Sequence, residues 1–348
     1  MDANSRPQQL PGAPRTPEAA ASRCFLTGAT GFVGSHLAEE LTAQGHTVRA
    51  LLRKTSSLKW IKHLSIECAY GDVTDPATVA AALDGADYVF HVAGLVKALD
   101  RETYFRVNAG GTASLLDACT RMPVPPKRIV LVSSQAAGGP SGRGPAVTED
   151  DPPHPISFYG ESKVEAERVA AGYSGRLPIT IVRPPAIYGP RDTEVFQFIK
   201  AAYRFGIAPI AGKADAPMST AHVHDVVQGL ILAAKSPKAV GRTYYVAGPD
   251  VATWDSVIEA LEDAFQKKLR RVRIPIWLAR VAASAVEAYA ALARKPATFN
   301  REKIREILAD GWVCSIQRAR EELAFEPRIT VRQGMRDTVD WCRQNGWI

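Results

Sequence analysis

The stretch Thr27-Gly28-Ala29-Thr30-Gly31-Phe32-Val33-Gly34 follows directly on the apolar residues Cys24-Phe25-Leu26 and opens a segment in which Val33, Leu37 and Leu41 recur at helical spacing. Residues 24–27 read as a strand, and residues 32–44 as a helix that Gly45 ends. Glycines between the two let the chain turn tightly and bring backbone N–H groups up to a pyrophosphate, while the helix start offers partial positive charge. Glycine also serves ordinary turns, so the triplet alone says little. Its place between strand and helix points to a dinucleotide. Gly28, Thr30, Gly31, Phe32, Val33 and Gly34 are the expected contacts.

Working outward, short apolar runs at residues 46–52, 66–70, 88–92, 129–133 and 179–182 alternate with helical patterns, notably 113–119 and 162–171. Such alternation predicts an α/β fold, a doubly wound parallel sheet of the Rossmann type covered by helices. Residues 1–22, with Pro7, Pro11, Pro14 and Pro17, read as a disordered tail, and residues 23–183 as the dinucleotide-binding domain. Residues 184–348 are expected to be mainly a smaller substrate-binding part, with some elements returning to the Rossmann core. Within it, residues 276–294 form an amphipathic pattern. Arg280, Glu287 and Arg294 fall on one face, and Trp277, Val281, Ala285, Tyr289 and Leu292 on or near the other. Such a helix packs on its own domain or meets a membrane or lipid.

The chain of 348 residues is 46% hydrophobic and 23% charged, ordinary for a globular protein. Its five cysteines stand singly, without redox or metal-ligand spacing, which argues for a reducing compartment and a cytoplasmic location. The formal charge of +7 suits an anionic cofactor, a membrane surface or nucleic acid as well as a plain solvated surface, and so selects none of them. No run of about 18 apolar residues is present to span a membrane.

The spacing Gly28-x-x-Gly31-x-x-Gly34 resembles that of the extended short-chain dehydrogenase/reductase family, of the NAD-dependent epimerase/dehydratase type. Further matches follow in order. Gly71-Asp72-Val73 resembles the adenine-contacting motif, His91-Val92-Ala93-Gly94 follows the fourth strand, and Asn108-Ala109-Gly110-Gly111-Thr112 looks like a helix-opening motif. Arg183-Pro184-Pro185-Ala186-Ile187-Tyr188-Gly189-Pro190 resembles the segment near the nicotinamide, and His222-Val223-His224-Asp225-Val226 a motif of the C-terminal half. The resemblance covers about residues 23–345 and is greatest to 3β-hydroxysteroid dehydrogenase and dihydroflavonol reductase-like members. It implies an NAD(P)-dependent oxidoreductase acting on CH–OH or C=O, with Asp72, Val73, Ala93, Gly94 and Pro184 added to the cofactor contacts.

Tyr159-Gly160-Glu161-Ser162-Lys163 puts a phenol and an amine on one helix face. A free tyrosine, with a pKa of about 10, exchanges its proton poorly near neutrality, and a nearby ammonium favours the phenolate. The amine also suits the nicotinamide ribose, so Tyr159 and Lys163 serve both chemistry and cofactor placement. Ser134, at the end of the fifth strand, matches the family's third catalytic residue, with Ser133 the adjacent alternative. Asn108 reads as scaffold, His91 as lining the cofactor cleft, and His222 and His224 as structural. No metal site is expected.

The position that accepts the adenosine ribose in NAD enzymes falls at Leu52, followed by Arg53 and Lys54. A basic residue there suits the 2′-phosphate, so NADP(H) is expected through Arg53, with NAD(H) as the alternative. Ser134-Gln135-Ala136 lacks the acid pair of the dehydratases, and Pro217-Met218-Ser219-Thr220-Ala221 lacks the arginine of the nucleotide-sugar enzymes. Phe196, Phe198, Ile207, Ile210 and the Trp277 helix suggest an apolar pocket, unless they are core. The expectation is a steroid-like or lipid alcohol as substrate. A nucleotide-sugar epimerase and a non-catalytic dinucleotide sensor stand as alternatives. Expected partners are a hydrophobic small molecule and no nucleic acid, with a homodimer and peripheral membrane contact through residues 266–294 left open.

Overall fold

A strand buried along its whole length needs cover on both faces, and Arg128–Val132 is such a strand. The computed structural model of the protein describes residues 21–293 and 300–348. The first half of the chain runs β1 (Arg23–Thr27), α1 (Phe32–Ala43), β2 (Thr47–Leu52), β3 (Glu67–Tyr70), α2 (Pro76–Ala82) and β4 (Tyr88–His91). Then come α3 (Arg101–Phe105), a π-helical turn (Arg106–Gly110), α4 (Gly111–Thr120), β5 (Arg128–Val132), α5 (Gln135–Gly138), α6 (Phe158–Ala171) and β6 (Ile179–Arg183). The second half adds β7 (Ala186–Tyr188), α7 (Val195–Phe205), β8 (Ile207–Ala211), β9 (Met218–His222), α8 (Val223–Lys235), β10 (Thr243–Tyr245) and β11 (Val251–Ala252). It closes with α9 (Trp254–Phe265), β12 (Arg270–Ile274), α10 (Ile276–Leu292), α11 (Arg301–Ile307), α12 (Gln317–Leu323) and α13 (Val331–Gln344).

The main sheet has the order β10-β6-β5-β4-β1-β2-β3, every neighbouring pair parallel. This is the expected Rossmann arrangement. The chain winds outward from β1 through β2 to β3, then crosses to β4 and winds the other way. A crevice therefore opens at the carboxyl ends of β1 and β4, where such sheets bind ligands. One face is covered by α1 and α8, whose Leu37, Leu41, Val226 and Leu230 pack on Leu26, Val130 and Val182. The other is covered by α2, α4 and α6, which bury Val79, Leu115, Leu116 and Ala170 against Phe25, Val89 and Ile129. A separate core, built from Ile199, Ile258, Leu261, Met335 and Val339, joins α7, α9 and α13.

Three features differ from the sequence reading. β10 completes the main sheet beside β6, although its three residues carry too short a pattern to stand out. Asn108–Thr112 does not open a helix: it lies within the continuous helical run 101–120, where a π turn gives way to α4. Such a turn inserts a residue and re-aims the side chains beside it. The third is α10. It docks through the small residues Ala279 and Ala283 against Ile304, with Ala290 also buried, while its large apolar side chains face outward. Arg294 and residues 1–20 of the expected tail lie outside the described residues.

α6 is tied to the sheet by a buried ion pair. Arg183 Nη2 donates to Glu167 Oε2 at 2.5 Å and Nε to Oε1 at 2.8 Å, while Ser133 Oγ donates to Oε1 at 2.5 Å and Arg183 Nη1 to the Tyr245 hydroxyl at 3.2 Å. The carboxylate thus joins α6 to β6 and to the end of β5, and Arg183 extends the link to β10. Removing one partner of a buried pair leaves the other charge uncompensated, at a cost of about 3–5 kcal/mol. Glu167→Ala is expected to lower the unfolding free energy by that amount in urea titration. A loss below about 1 kcal/mol, the range of exposed pairs, would contradict this account of the clamp.

Candidate active site

The glycine loop is built so that side chains would not fit. Gly28 has φ +77°, and a Cβ there would lie 2.8 Å from the backbone nitrogen of Ala93. A Cβ on Gly34 would overlap the Gly28 carbonyl oxygen. Gly31 precedes α1 and gives it no side-chain cap, so the N–H groups of its first turn, in Phe32, Val33 and Gly34, remain open to an anion. Across the crevice, Ala93 N donates to Thr27 Oγ1 at 3.1 Å, and Thr27 Oγ1 lies 2.8 Å from His91 Nδ1. His91 is fully buried. Burial, with Lys163 nearby, brings its pKa down to about 3, so the ring is neutral and β1 is stitched to β4 without charge.

At the far end of the crevice, Asp72 Oδ1 accepts from the Thr74 N–H at 2.9 Å and the Thr74 hydroxyl at 2.7 Å. Burial works to raise the Asp72 pKa, but these hydrogen bonds, with Arg53 and Arg106 adding positive charge, bring it below the ordinary carboxylate value. Leu52 is core, packed in the α1 and α8 layer, and cannot read a ribose. Arg53 is exposed beside it. Arg106 comes from the π turn. Nothing in its local sequence marked it, because its approach to Asp72 depends on how α3 and α4 pack.

Ser157 caps α6 by accepting from Gly160 N at 3.1 Å, which sets Tyr159 and Lys163 on successive turns. Lys163 Nζ donates to the Val132 carbonyl at 2.9 Å, at the end of β5. Burial lowers its pKa to about 8, with Glu167 opposing. Tyr159 is half-buried. Burial pushes its phenol up to about 12, while a hydrogen bond with Ser134 works the other way. Ser133 and Ser134 diverge: the first is held by Glu167, and the second meets Tyr159 and caps α5 by accepting from Ala136 N at 3.1 Å. The structure thus separates two serines that the sequence left as alternatives.

Asn108 organises the loop above this group. Its Oδ1 accepts from Leu95 N at 2.7 Å, and its Nδ2 donates to Leu95 O at 3.1 Å and to Ser162 Oγ at 2.8 Å. A Cβ on Gly94 would lie 3.2 Å from Lys163 Nζ, so glycine lets this loop pass close over the amine. Val73 packs on Gly111, and the Pro184 carbonyl accepts from Gln135 N at 2.8 Å, fixing the turn that carries Ser134.

Sequence reasoning missed the residues around the mouth. The Tyr104 and Tyr159 rings lie 6.3 Å apart, and Glu306 and Glu194 both act on the Tyr159 phenol. From α11, Glu306 Oε1 accepts from Ser157 Oγ and Glu302 Oε2 from Phe158 N, each at 2.7 Å. Glu302 and Glu306 sit one turn apart, the only local signal that would have pointed to them. The apolar residues expected to line a pocket do not gather here. Phe198 and Ile210 belong to the core of the C-terminal half, Phe196 meets Trp347 edge to face, Ile207 pairs with β12, and Trp277 is 67% exposed. His36, His222 and His224 pack ring to ring at 5.2 and 4.9 Å, and burial lowers the pKa of all three. Among the described residues no group of three or more His, Cys, Asp or Glu is placed to hold a metal.

The model of the NAD dependent epimerase/dehydratase family matches residues 24–248. The chain belongs to this family. It is accordingly a nicotinamide-dependent enzyme of the extended short-chain dehydrogenase/reductase group, acting on CH–OH or C=O carbon. It is 31% identical over 324 residues to a ceramide reductase of Caulobacter vibrioides, covering 93% of this chain and 95% of that one. It is 29% identical over 337 residues to a 3 beta-hydroxysteroid dehydrogenase/Delta 5-->4-isomerase of Mycobacterium tuberculosis, covering 92% and 90%. The crystal structure of gox2253 is similar at a TM-score of 0.78 and 30% identity, covering 93% of this chain and 99% of that one.

The glycine loop keeps its close approach to Ala93 only while position 28 lacks a Cβ. Gly28→Ala forces an L-residue into the left-handed region, at a cost of about 1–2 kcal/mol, and drives the new carbon into Ala93. Titration with reduced nicotinamide dinucleotide, followed by fluorescence, is expected to show at least tenfold weaker binding with the far-ultraviolet circular dichroism spectrum retained. Wild-type affinity in this variant would exclude close approach of the cofactor to the loop.

Proposed function

We propose that this enzyme interconverts a secondary alcohol and a ketone on a hydrophobic, steroid-like or lipid substrate, using NADP(H). The observation that carries the reading is the convergence of Ser134, Tyr159 and Lys163 at the carboxyl end of β5. When bound, the nicotinamide would exchange hydride with the substrate carbon. The protein's task is then the oxygen. Ser134 holds it and Tyr159 exchanges the proton with it, while the Lys163 ammonium favours the phenolate that forms when Tyr159 gives its proton up. Burial, with Glu306 and Glu194 adding to it and the Ser134 hydrogen bond opposing, holds the phenol at about 12, so the resting proton is on Tyr159, ready for donation in the reductive direction.

The cofactor cradle comprises Gly28, Thr30, Gly31, Phe32, Val33 and Gly34 at the pyrophosphate, and Asp72 and Val73 on the adenine side. Ala93 and Gly94 flank the crevice, and Tyr159, Lys163 and Pro184 stand by the nicotinamide. Residues 184–348 would supply most of the substrate contacts. A hydrophobic substrate is supported by the similarity to proteins named ceramide reductase and hydroxysteroid dehydrogenase. It is supported too by the absence of an arginine along β9, whose Ser219, Thr220 and Ala221 are buried where nucleotide-sugar enzymes bring one.

Tyr159→Phe removes the proton donor and keeps the ring. Turnover is expected to fall by about 10²–10⁴ with cofactor binding unchanged. Near-normal turnover would take Tyr159 out of the mechanism, and epimerisation of a nucleotide sugar without net cofactor change would replace the alcohol–ketone reading altogether.

Selection of NADP(H) rests on Arg53, aided by Arg106, at the ribose end beside Asp72. An arginine fork matches a phosphate, and one charge-assisted hydrogen bond contributes about 1.5–3 kcal/mol, a roughly tenfold or greater preference. Arg53→Ala is expected to reduce the ratio of kcat/KM for NADP(H) over NAD(H) by at least that factor. An unchanged ratio would show that Arg53 does not read the phosphate.

A further inference from the structure

The exposed face of α10 is apolar in the manner of a core face. Trp277, Val281, Tyr289 and Leu292 are 67%, 57%, 73% and 85% exposed, with Leu278 beside them. At 100° per residue these five side chains, together with Ala282 and Ala285, fill one continuous sector of the helix. The opposite sector docks through Ala279, Ala283 and Ala290 and through Glu287, which pairs with Arg301 at 2.9 Å. A globular protein gains nothing by turning its largest apolar side chains to water, so a face of this kind marks an interaction surface.

Charge identifies the occupant. Arg270 and Arg273, in the strand that feeds the helix, and Arg280, on the helix edge, are exposed and have no carboxylate partner among the described residues. Their neighbour Arg271 differs, being bound to Asp255 at 3.2 Å. A second copy docked on this face would bring a second set of the same arginines to the interface and no added carboxylate to pair them. An anionic lipid surface supplies the opposite charge, and an apolar boundary for the helix to sink into. α10 has 17 residues, hence a length of about 26 Å. No described helix is long and apolar enough to cross a membrane. Trp277 and Tyr289, near its two ends, are residue types that favour the boundary between water and hydrocarbon.

We propose that α10 is an in-plane membrane anchor that seats the enzyme on anionic bilayers. Its position gives the contact a use. α10 packs on α11, and α11 holds Ser157 and Phe158 through Glu306 and Glu302, immediately before Tyr159. On the reading of a hydrophobic substrate, the site then opens one helix away from the lipid that dissolves its substrate. The anchor itself does not depend on that reading.

The test is sedimentation with vesicles of phosphatidylcholine alone or with about one third phosphatidylglycerol, in low and high salt. The full chain is expected to bind the anionic vesicles at low salt and to be released by salt. Val281→Glu with Tyr289→Glu, and separately Arg273→Glu with Arg280→Glu, should each lower the bound fraction at least tenfold. Both variants alter exposed side chains, so melting temperature and turnover of a water-soluble ketone should be unchanged. Failure of the wild type to bind, or equal binding by the variants, would overturn the proposal. So would a wild-type dimer dispersed by Tyr289→Glu, which would assign the face to a second copy. Because no substrate enters the binding assay, its failure would leave the alcohol–ketone reading untouched.

Discussion

The carboxylate of Glu167 is the constraint from which the candidate site follows. It is buried beside Arg183 and takes hydrogen bonds from that guanidinium and from Ser133. A buried charge is tolerated only where its partners are all in place, so α6 has one height and one rotation against β5 and β6. Tyr159, Lys163 and Glu167 are spaced four residues apart on this helix, and share a face. Fixing the third therefore fixes the other two: Lys163 reaches the last carbonyl of β5, and Tyr159 arrives one turn higher, beside Ser134. Glu167 also favours the charged form of Lys163 against the burial that lowers it.

Around this clamp the protein keeps its charges sparing. The crevice wall between β1 and β4 is closed by Thr27 and a neutral His91, and the turn at Pro190 is held by the neutral His36, whose Nε2 lies 2.9 Å from the Pro190 carbonyl. Neutral imidazoles can fill such positions because burial depresses their pKa far below the working range. Positive charge gathers at the uncapped start of α1 and at Arg53 and Arg106 beside Asp72. The acidic side chains at the mouth, Glu194, Glu302 and Glu306, are engaged by Lys97, Phe158 N and Ser157.

The C-terminal half does two jobs in space that its sequence does not separate. α8 and β10 complete the Rossmann layers, whereas α7, α9 and α13 enclose a core of their own. The bond from Asp225 in α8 to the backbone N–H groups of Arg328 and Ile329, at 3.1 and 3.0 Å, joins the two sets. α11 then brings the second half back over the start of α6, so that the tyrosine is bordered by elements about 140 residues apart in the chain.

By itself the sequence determined the Rossmann sheet, the glycine cradle and the pair Tyr159 and Lys163. These are local patterns: a strand or helix announces its period within a dozen residues, and a Gly28 that must take positive φ is visible in the loop that contains it. The sequence matched Ser134 to the catalytic position with Ser133 beside it, but only the tertiary structure shows their different surroundings, because a carboxylate 34 residues away claims the Ser133 hydroxyl and leaves Ser134 beside Tyr159. Tertiary structure also decided that Asn108 lies within a π turn rather than at a helix start, and that Arg106 joins Arg53 beside Asp72. The same holds for the outward turn of α10. Periodicity in 276–292 reveals that the helix has an apolar face, but the direction of that face is set by what it packs against. Here Ala279 and Ala283 meet Ile304, with Leu308 and Ile274 packed beside them.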